Sequence, residues 1–119
     1  MGAIAEGIAT VHGLSVTLTY RRNYPVTRNH AAEVAEAAEA AASVAGRDAV
    51  DRSCPPLMAA EDFSYMLEER PGAFIFIGNG PSAGLHNAAY DFADEALAYG
   101  ASYWIALVQR SLSGSDEAS

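Results

Sequence analysis

His86 is the residue in this 119-residue chain best placed to do chemistry. It follows an unbroken apolar run, residues 73–77 (Ala-Phe-Ile-Phe-Ile), which reads as a strand buried on both faces. Gly78, Gly80, Pro81 and Gly84 then supply the turn chemistry of a loop that delivers a single imidazole. An imidazole at the end of a buried strand is well placed to be a metal ligand or a proton-transfer group. A neutral ring suits zinc or manganese, and its second nitrogen can be oriented by a carboxylate or carbonyl. Asp91 and Asp94 stand close enough in sequence to serve, although helix capping or plain solvation also accounts for them. A stable metal site needs about four ligands, counting water.

The other reactive residues are scattered. His12 and His30 have no carboxylate or cysteine at ligand spacing, so both read as structural. With Cys54, the three histidines match no short zinc-binding pattern. Cys54 precedes Pro55 and has no basic neighbour to lower its thiol pKa. Asn79 and Gly80 are candidates for close approach to a substrate, although turn geometry alone also explains them. Arg21 and Arg22 read as a solvated strand end.

The elements that must position His86 follow from hydrophobic spacing and punctuation. Residues 2–11 predict a short helix with Ile4, Ile8 and Val11 on one side, starting abruptly and stopping at His12-Gly13. Residues 14–20 alternate Leu14, Val16, Leu18 and Tyr20 with Ser15, Thr17 and Thr19, the pattern of a half-exposed strand. Tyr24-Pro25 marks a connector. Asn29 then predicts an N-cap for a helix to Ala45, rich in alanine and stopped by Gly46. Pro55-Pro56 excludes a helix there. Residues 60–69 predict a short helix with Phe63, Met66 and Leu67 as its stripe and Pro71-Gly72 as its end. Asp94 predicts the start of a long helix to about Leu112, with Leu97, Ala101, Trp104, Ile105, Val108 and Leu112 as its core-facing stripe. A polar tail, residues 113–119, reads as disordered.

Composition narrows the partners. Half of the residues are hydrophobic, with six Tyr, four Phe and one Trp, enough to bury a core. A net charge of −8 argues against nucleic acid or an anionic membrane as partner, because both demand clustered Lys and Arg. No apolar run approaches the ~20 residues that cross a bilayer. The first residues lack the pattern of a secretory signal, and one cysteine excludes an internal disulfide. Both features point to the cytoplasm. Two predicted strands are too few for a sheet, and the second has the composition of a central one. The chain is therefore expected to be part of something larger or to self-associate as a homo-oligomer.

Three segments, in order, carry a resemblance: residues 58–64 (Met-Ala-Ala-Glu-Asp-Phe-Ser), 70–78 (Arg-Pro-Gly-Ala-Phe-Ile-Phe-Ile-Gly) and 84–92 (Gly-Leu-His-Asn-Ala-Ala-Tyr-Asp-Phe). Together they resemble the C-terminal third of the metal-dependent aminoacylase and carboxypeptidase-like amidohydrolases, especially the hippurate hydrolase and N-acyl-amino-acid amidohydrolase subgroup. The likeness runs from about residue 2 to 110. It implies an α/β fold: the C-terminal part of a catalytic domain over residues 25–112, preceded by the last helix and strand of an α+β lid or dimerisation domain in residues 1–24. It further implies amide hydrolysis of N-acyl amino acids by a metal-activated water, with two divalent ions, zinc or manganese, in the complete enzyme. On this likeness His86 is the family's final metal ligand, while Glu61 and Asp62 lie on a helix that flanks the site. First-turn helix acids are the plainer account of Glu61 and Asp62. The other ligands and the general-base glutamate have no visible counterpart in this chain, so the isolated chain is not expected to retain metal. The alternative is a non-catalytic module that self-associates. The hydrolase reading requires the His86 ring to face a cleft with room for an ion.

Overall fold

The computed structural model describes residues 1–113, and within them the chain is built from helices. These are α1 (Gly2–Val11), α2 (Ala31–Ala45), α3 (Phe63–Glu69) and α4 (Glu95–Ser113), with one 3-10 turn at Arg47–Ala49. No helix among the described residues is long and apolar enough to cross a membrane.

Helix ends sit where local chemistry puts them. After α1, Gly13 adopts φ 63° and lets two bonds close the last turn. The Leu14 N–H donates to the Ala9 carbonyl at 2.8 Å and the Gly13 N–H to Thr10 at 3.2 Å. This is the Schellman pattern, which a side chain with a Cβ resists at the left-handed position. α2 is mostly alanine, the strongest helix former, and ends on Gly46 at φ 88°. Arg70 is extended, φ −144° and ψ 143°, as expected of a residue before proline.

The predicted cap of α2 is corrected. His30 occupies the N-cap position without a side-chain capping bond. The Asn29 carboxamide instead pairs with both backbone groups of Phe74, donating to its carbonyl and accepting from its N–H, each at 2.8 Å. His30 extends this seam: its N–H donates to the Gly72 carbonyl at 3.0 Å, and its Nδ1 accepts from the Gly72 N–H at 3.2 Å. The structural reading of His30 therefore holds.

Both predicted strands are corrected as well. Residues 14–20 and 73–77 form no strand among the described residues, so the α/β architecture is not realised within them. Alternating or continuous apolar character favours a strand, but a ladder forms only when a neighbouring chain satisfies its N–H and C=O groups. Residues 14–20 are exposed throughout. In the second segment the rings of Phe74 and Phe76 still lie on one side, 5.2 Å apart, and Phe63 of α3 meets Phe74 at 5.6 Å. Residues at i and i+2 share a face in an extended backbone.

α4 packs on α2, but not through the stripe that periodicity picks out. The half-buried residues of α4 are Ala96, Gly100, Tyr103, Ala106 and Leu107. Small residues there and on α2 permit close approach, and Arg110 of α4 reaches Glu36 of α2 at 3.4 Å. Burial pushes the Tyr103 phenol above its usual pKa. The predicted stripe lies about a third of a turn round the helix and is exposed, Trp104 at 64% and Ile105 at 59%. α4 is thus apolar on two sides, and α2 covers one of them among the described residues.

Burial is correspondingly sparse. Among the described residues the buried ones are Ala9, Ala37, Ala40, Leu67 and Ser64. The accessible surface is 9985 Å², whereas a compact chain of 12.5 kDa exposes about 6,200 Å². The radius of gyration is 21.0 Å, against about 13 Å for a compact domain of this length. Ala40, 0% exposed on α2, has no room for a larger side chain. Ala40→Leu is expected to destabilise the helical structure by about 1–3 kcal/mol, read as a lower urea midpoint in far-UV circular dichroism. An unchanged midpoint would show that this packing contributes nothing.

Glu39 of α2 accepts from Arg47 at 3.2 Å and from Arg52 at 2.7 Å, both beyond the helix end. The Arg52 hydrogen bond, then the Arg47 charge, holds its carboxyl below the ordinary carboxylate value. Because its folded pKa is depressed, the contribution is present above the unfolded value and fades as pH falls through the folded one. The pair is solvent-screened, so the effect is small. Titrating the turn at Arg47–Ala49 by NMR in wild type and Glu39→Gln checks it: only the wild type loosens on acidification.

The first residue of the expected tail, Ser113, is the last residue of α4. The remainder, residues 114–119, lies outside the described residues.

Candidate functional site

The loop carrying His86 is closed by side chains rather than by strands. Asn79 sits at its start, and its Nδ2 donates to the Asp91 carbonyl at 2.6 Å. Its Oδ1 accepts from the Ala93 N–H at 2.8 Å. Ser82 adds two contacts of 3.0 Å with the backbone of Asp91, donating to its carbonyl and accepting from its N–H. The ends of residues 79–93 are thereby drawn together, as in a compact surface loop packed on its own side chains.

Two consecutive turns follow inside the loop, Asn87 N–H to the Gly84 carbonyl at 3.2 Å and Tyr90 N–H to the Asn87 carbonyl at 3.0 Å. His86 occupies the first of them with φ 64°, alone among the described non-glycine residues in having positive φ. For a residue with a Cβ this left-handed geometry costs roughly 1–2 kcal/mol. The closed loop supplies the constraint that holds it there.

The His86 ring is exposed, and the cleft expected around it is not formed by the described residues. A hollow of 630 Å³ lies beside the loop, lined by Asn79, Ser82, Asp91, Asp94 and Glu95 among others, without His86. A smaller one of 270 Å³ is lined by Arg28, His30, Ser64 and Glu68 together with Val26 and Leu67. No group of three His, Cys, Asp or Glu side chains among the described residues is arranged to hold a metal ion.

Glu61 and Asp62 precede α3 rather than opening it, because the helix starts at Phe63, not at residue 60. Both are employed locally. Glu61 Oε1 accepts a long 3.4 Å bond from the Phe63 N–H, and its carbonyl accepts from the buried Ser64 hydroxyl at 2.6 Å. The Asp62 carbonyl accepts from the Tyr65 N–H at 3.0 Å. Tyr65 in turn donates to the Asn23 carbonyl at 2.9 Å and packs its ring, tilted by 60°, against Tyr24 at 5.8 Å, fixing the connector against α3.

The structure therefore unites Asn79 with Asp91 and Ala93, and leaves His86 and the Glu61 pair in separate local arrangements. Sequence reasoning missed the pairing jobs of Asn29, His30 and Ser82. Their signal is slight: a short polar side chain able to bond backbone, with partners up to 45 residues away.

The chain matches the model of Peptidase family M20/M25/M40 over residues 2–110. It belongs to that family, whose members are generally metal-dependent. It is 34% identical over 109 residues to a hippurate hydrolase of Campylobacter jejuni, covering 92% of this chain and 28% of that protein. Similarity extends to a putative amidohydrolase YhaA of Bacillus subtilis, 32% identical, covering 80% of this chain and 25% of that protein. An N-acetyldiaminopimelate deacetylase of Streptococcus thermophilus is 33% identical, with 83% and 26% covered. The chain thus spans about a quarter of the length of the curated relatives it matches. No solved structure matches it.

Proposed function

We propose that this chain is the C-terminal portion of an enzyme that hydrolyses the amide bond of N-acyl amino acids, hippurate-like compounds among them, through a metal-activated water. The observation that carries the reading is the family match across residues 2–110. The cleft that a metal-ligand role for His86 requires is not formed by the described residues, so the geometry around His86 lends it no support. His86 contributes one donor to one of two divalent ions, zinc or manganese, and the other donors and the general base come from elsewhere in the complete enzyme. The described residues do not fit a whole metal centre: one imidazole falls short of about four ligands. No step of the reaction is therefore assigned to this chain's residues, and the 119 residues alone hold metal poorly.

In this reading residues 1–24 are the last helix and strand of a lid or dimerisation domain, and residues 25–112 are the chain's return into the catalytic α/β domain. Residues 14–20 and 73–77 pair as strands once neighbouring strands are supplied. Glu61 and Asp62 flank the metal site, and Asn79 and Gly80 belong to a substrate-proximal loop. The complete enzyme is a cytoplasmic homo-oligomer in this reading. Metal analysis and hydrolysis of hippurate and N-acetyl amino acids, with and without chelator, test the function on a polypeptide of the relatives' full length. Chelator-sensitive turnover is expected; a metal-free, inactive full-length protein sinks the reading.

A second reading, a non-catalytic module that self-associates, is supported by the apolar residues left exposed on α1 and α4. Turnover by the full-length protein removes it.

A further inference from the structure

We propose that Asn79 is a positioning residue: its carboxamide closes the loop that carries His86 and fixes the direction in which that ring is presented. The proposal rests on His86 being a metal donor, as read above, and gives Asn79 a task other than substrate contact.

Both poles of the amide are committed to backbone groups flanking Phe92, the Asp91 carbonyl at 2.6 Å and the Ala93 N–H at 2.8 Å, across 12 and 14 residues of chain. Ser82 secures Asp91 from a second direction, and Gly80, at φ 71°, turns the chain sharply just after Asn79. Between these fastenings His86 keeps a left-handed backbone that a free loop would not maintain. Asn29 performs the same two-bond pairing on Phe74, so segment 74–79 is held by a carboxamide at each end. Only a side chain with a donor and an acceptor side by side makes this pair of bonds. Aspartate offers no donor and sets a carboxylate against the Asp91 carbonyl. Alanine offers neither.

Two measurements test it. In the 119-residue chain, amide hydrogen exchange of Ala93 is expected to accelerate at least about tenfold in Asn79→Ala, since its acceptor is lost. Resonances of residues 84–90 shift in the same variant while those of α1 and α2 stay in place. Ser82→Ala, a milder change, releases the Asp91 amide and leaves Ala93 protected. Unchanged exchange at Ala93 overturns the clamp.

In a polypeptide of the relatives' full length, Asn79→Ala is expected to lower metal affinity or kcat by less than the roughly 10–100-fold that follows loss of a group bonded directly to a ligand, because Asn79 acts through the Asp91 and Ala93 backbone rather than on the His86 ring. KM changes less than about threefold. Asn79→Asp, which keeps the acceptor, falls between wild type and Asn79→Ala. A raised KM with unchanged kcat and metal content overturns the proposal in favour of substrate contact. If His86→Ala leaves metal and turnover intact, the reading of His86 fails, and the exchange data still decide whether Asn79 closes the loop.

Discussion

His86→Asn, made in a polypeptide of the relatives' full length, is expected to lower kcat/KM for hippurate by more than about a hundredfold, close to 2.7 kcal/mol of transition-state stabilisation. Bound metal, counted by atomic spectroscopy, falls with it. Asparagine is the informative substitution because His86 sits at φ 64°, a conformation asparagine tolerates better than most residues. The loop therefore persists while the imidazole is lost. His86→Gly gives the same loss of activity from an even less strained backbone. A His86→Asn protein that keeps both metal and turnover refutes the assignment of this ring. It leaves family membership untouched, because that rests on residues 2–110 as a whole.

Trp104→Asp is expected to convert the isolated chain from a dimer or larger assembly to a monomer in light scattering at micromolar concentration. Trp104 is 64% exposed, with Leu97, Ile105, Val108 and Leu112 beside it on the same face of α4. Covering the exposed part of one tryptophan removes about 100–150 Å² of apolar surface. At ~25 cal/mol per Å² that favours association by roughly 3 kcal/mol, about a hundredfold in the equilibrium. A charge in its place reverses the sign. The opposite face, including Tyr103, stays on α2, so helix content by circular dichroism changes little. A compact wild-type monomer under the same conditions would show that this face needs no cover.

His86 and the α4 stripe are both exposed among the described residues, and the surface is some 3,800 Å² larger than a compact chain of this mass would show. The loop around His86 is fastened internally, by Asn79, Ser82 and the two turns that follow. The backbone conformation of His86 is therefore set locally.

By itself the sequence determined what a few neighbouring residues decide among themselves. The stops at Gly13 and Gly46, the extended Arg70 before Pro71, the helical stretch of α4 and the turns around Gly84 all follow from backbone geometry within one or two turns of chain. The three linked segments around Phe63, Phe74 and His86 also carried the family. Only the tertiary structure decided that Asn29 pairs with Phe74 instead of capping α2, that His30 meets Gly72, and that α4 offers α2 its small residues rather than its large apolar ones. It also decided that residues 14–20 and 73–77 stay unpaired, since a strand is completed by another strand's hydrogen bonds. The division has a physical basis: torsional preference acts over a few residues, while pairing and packing depend on groups brought from far along the chain or from beyond it.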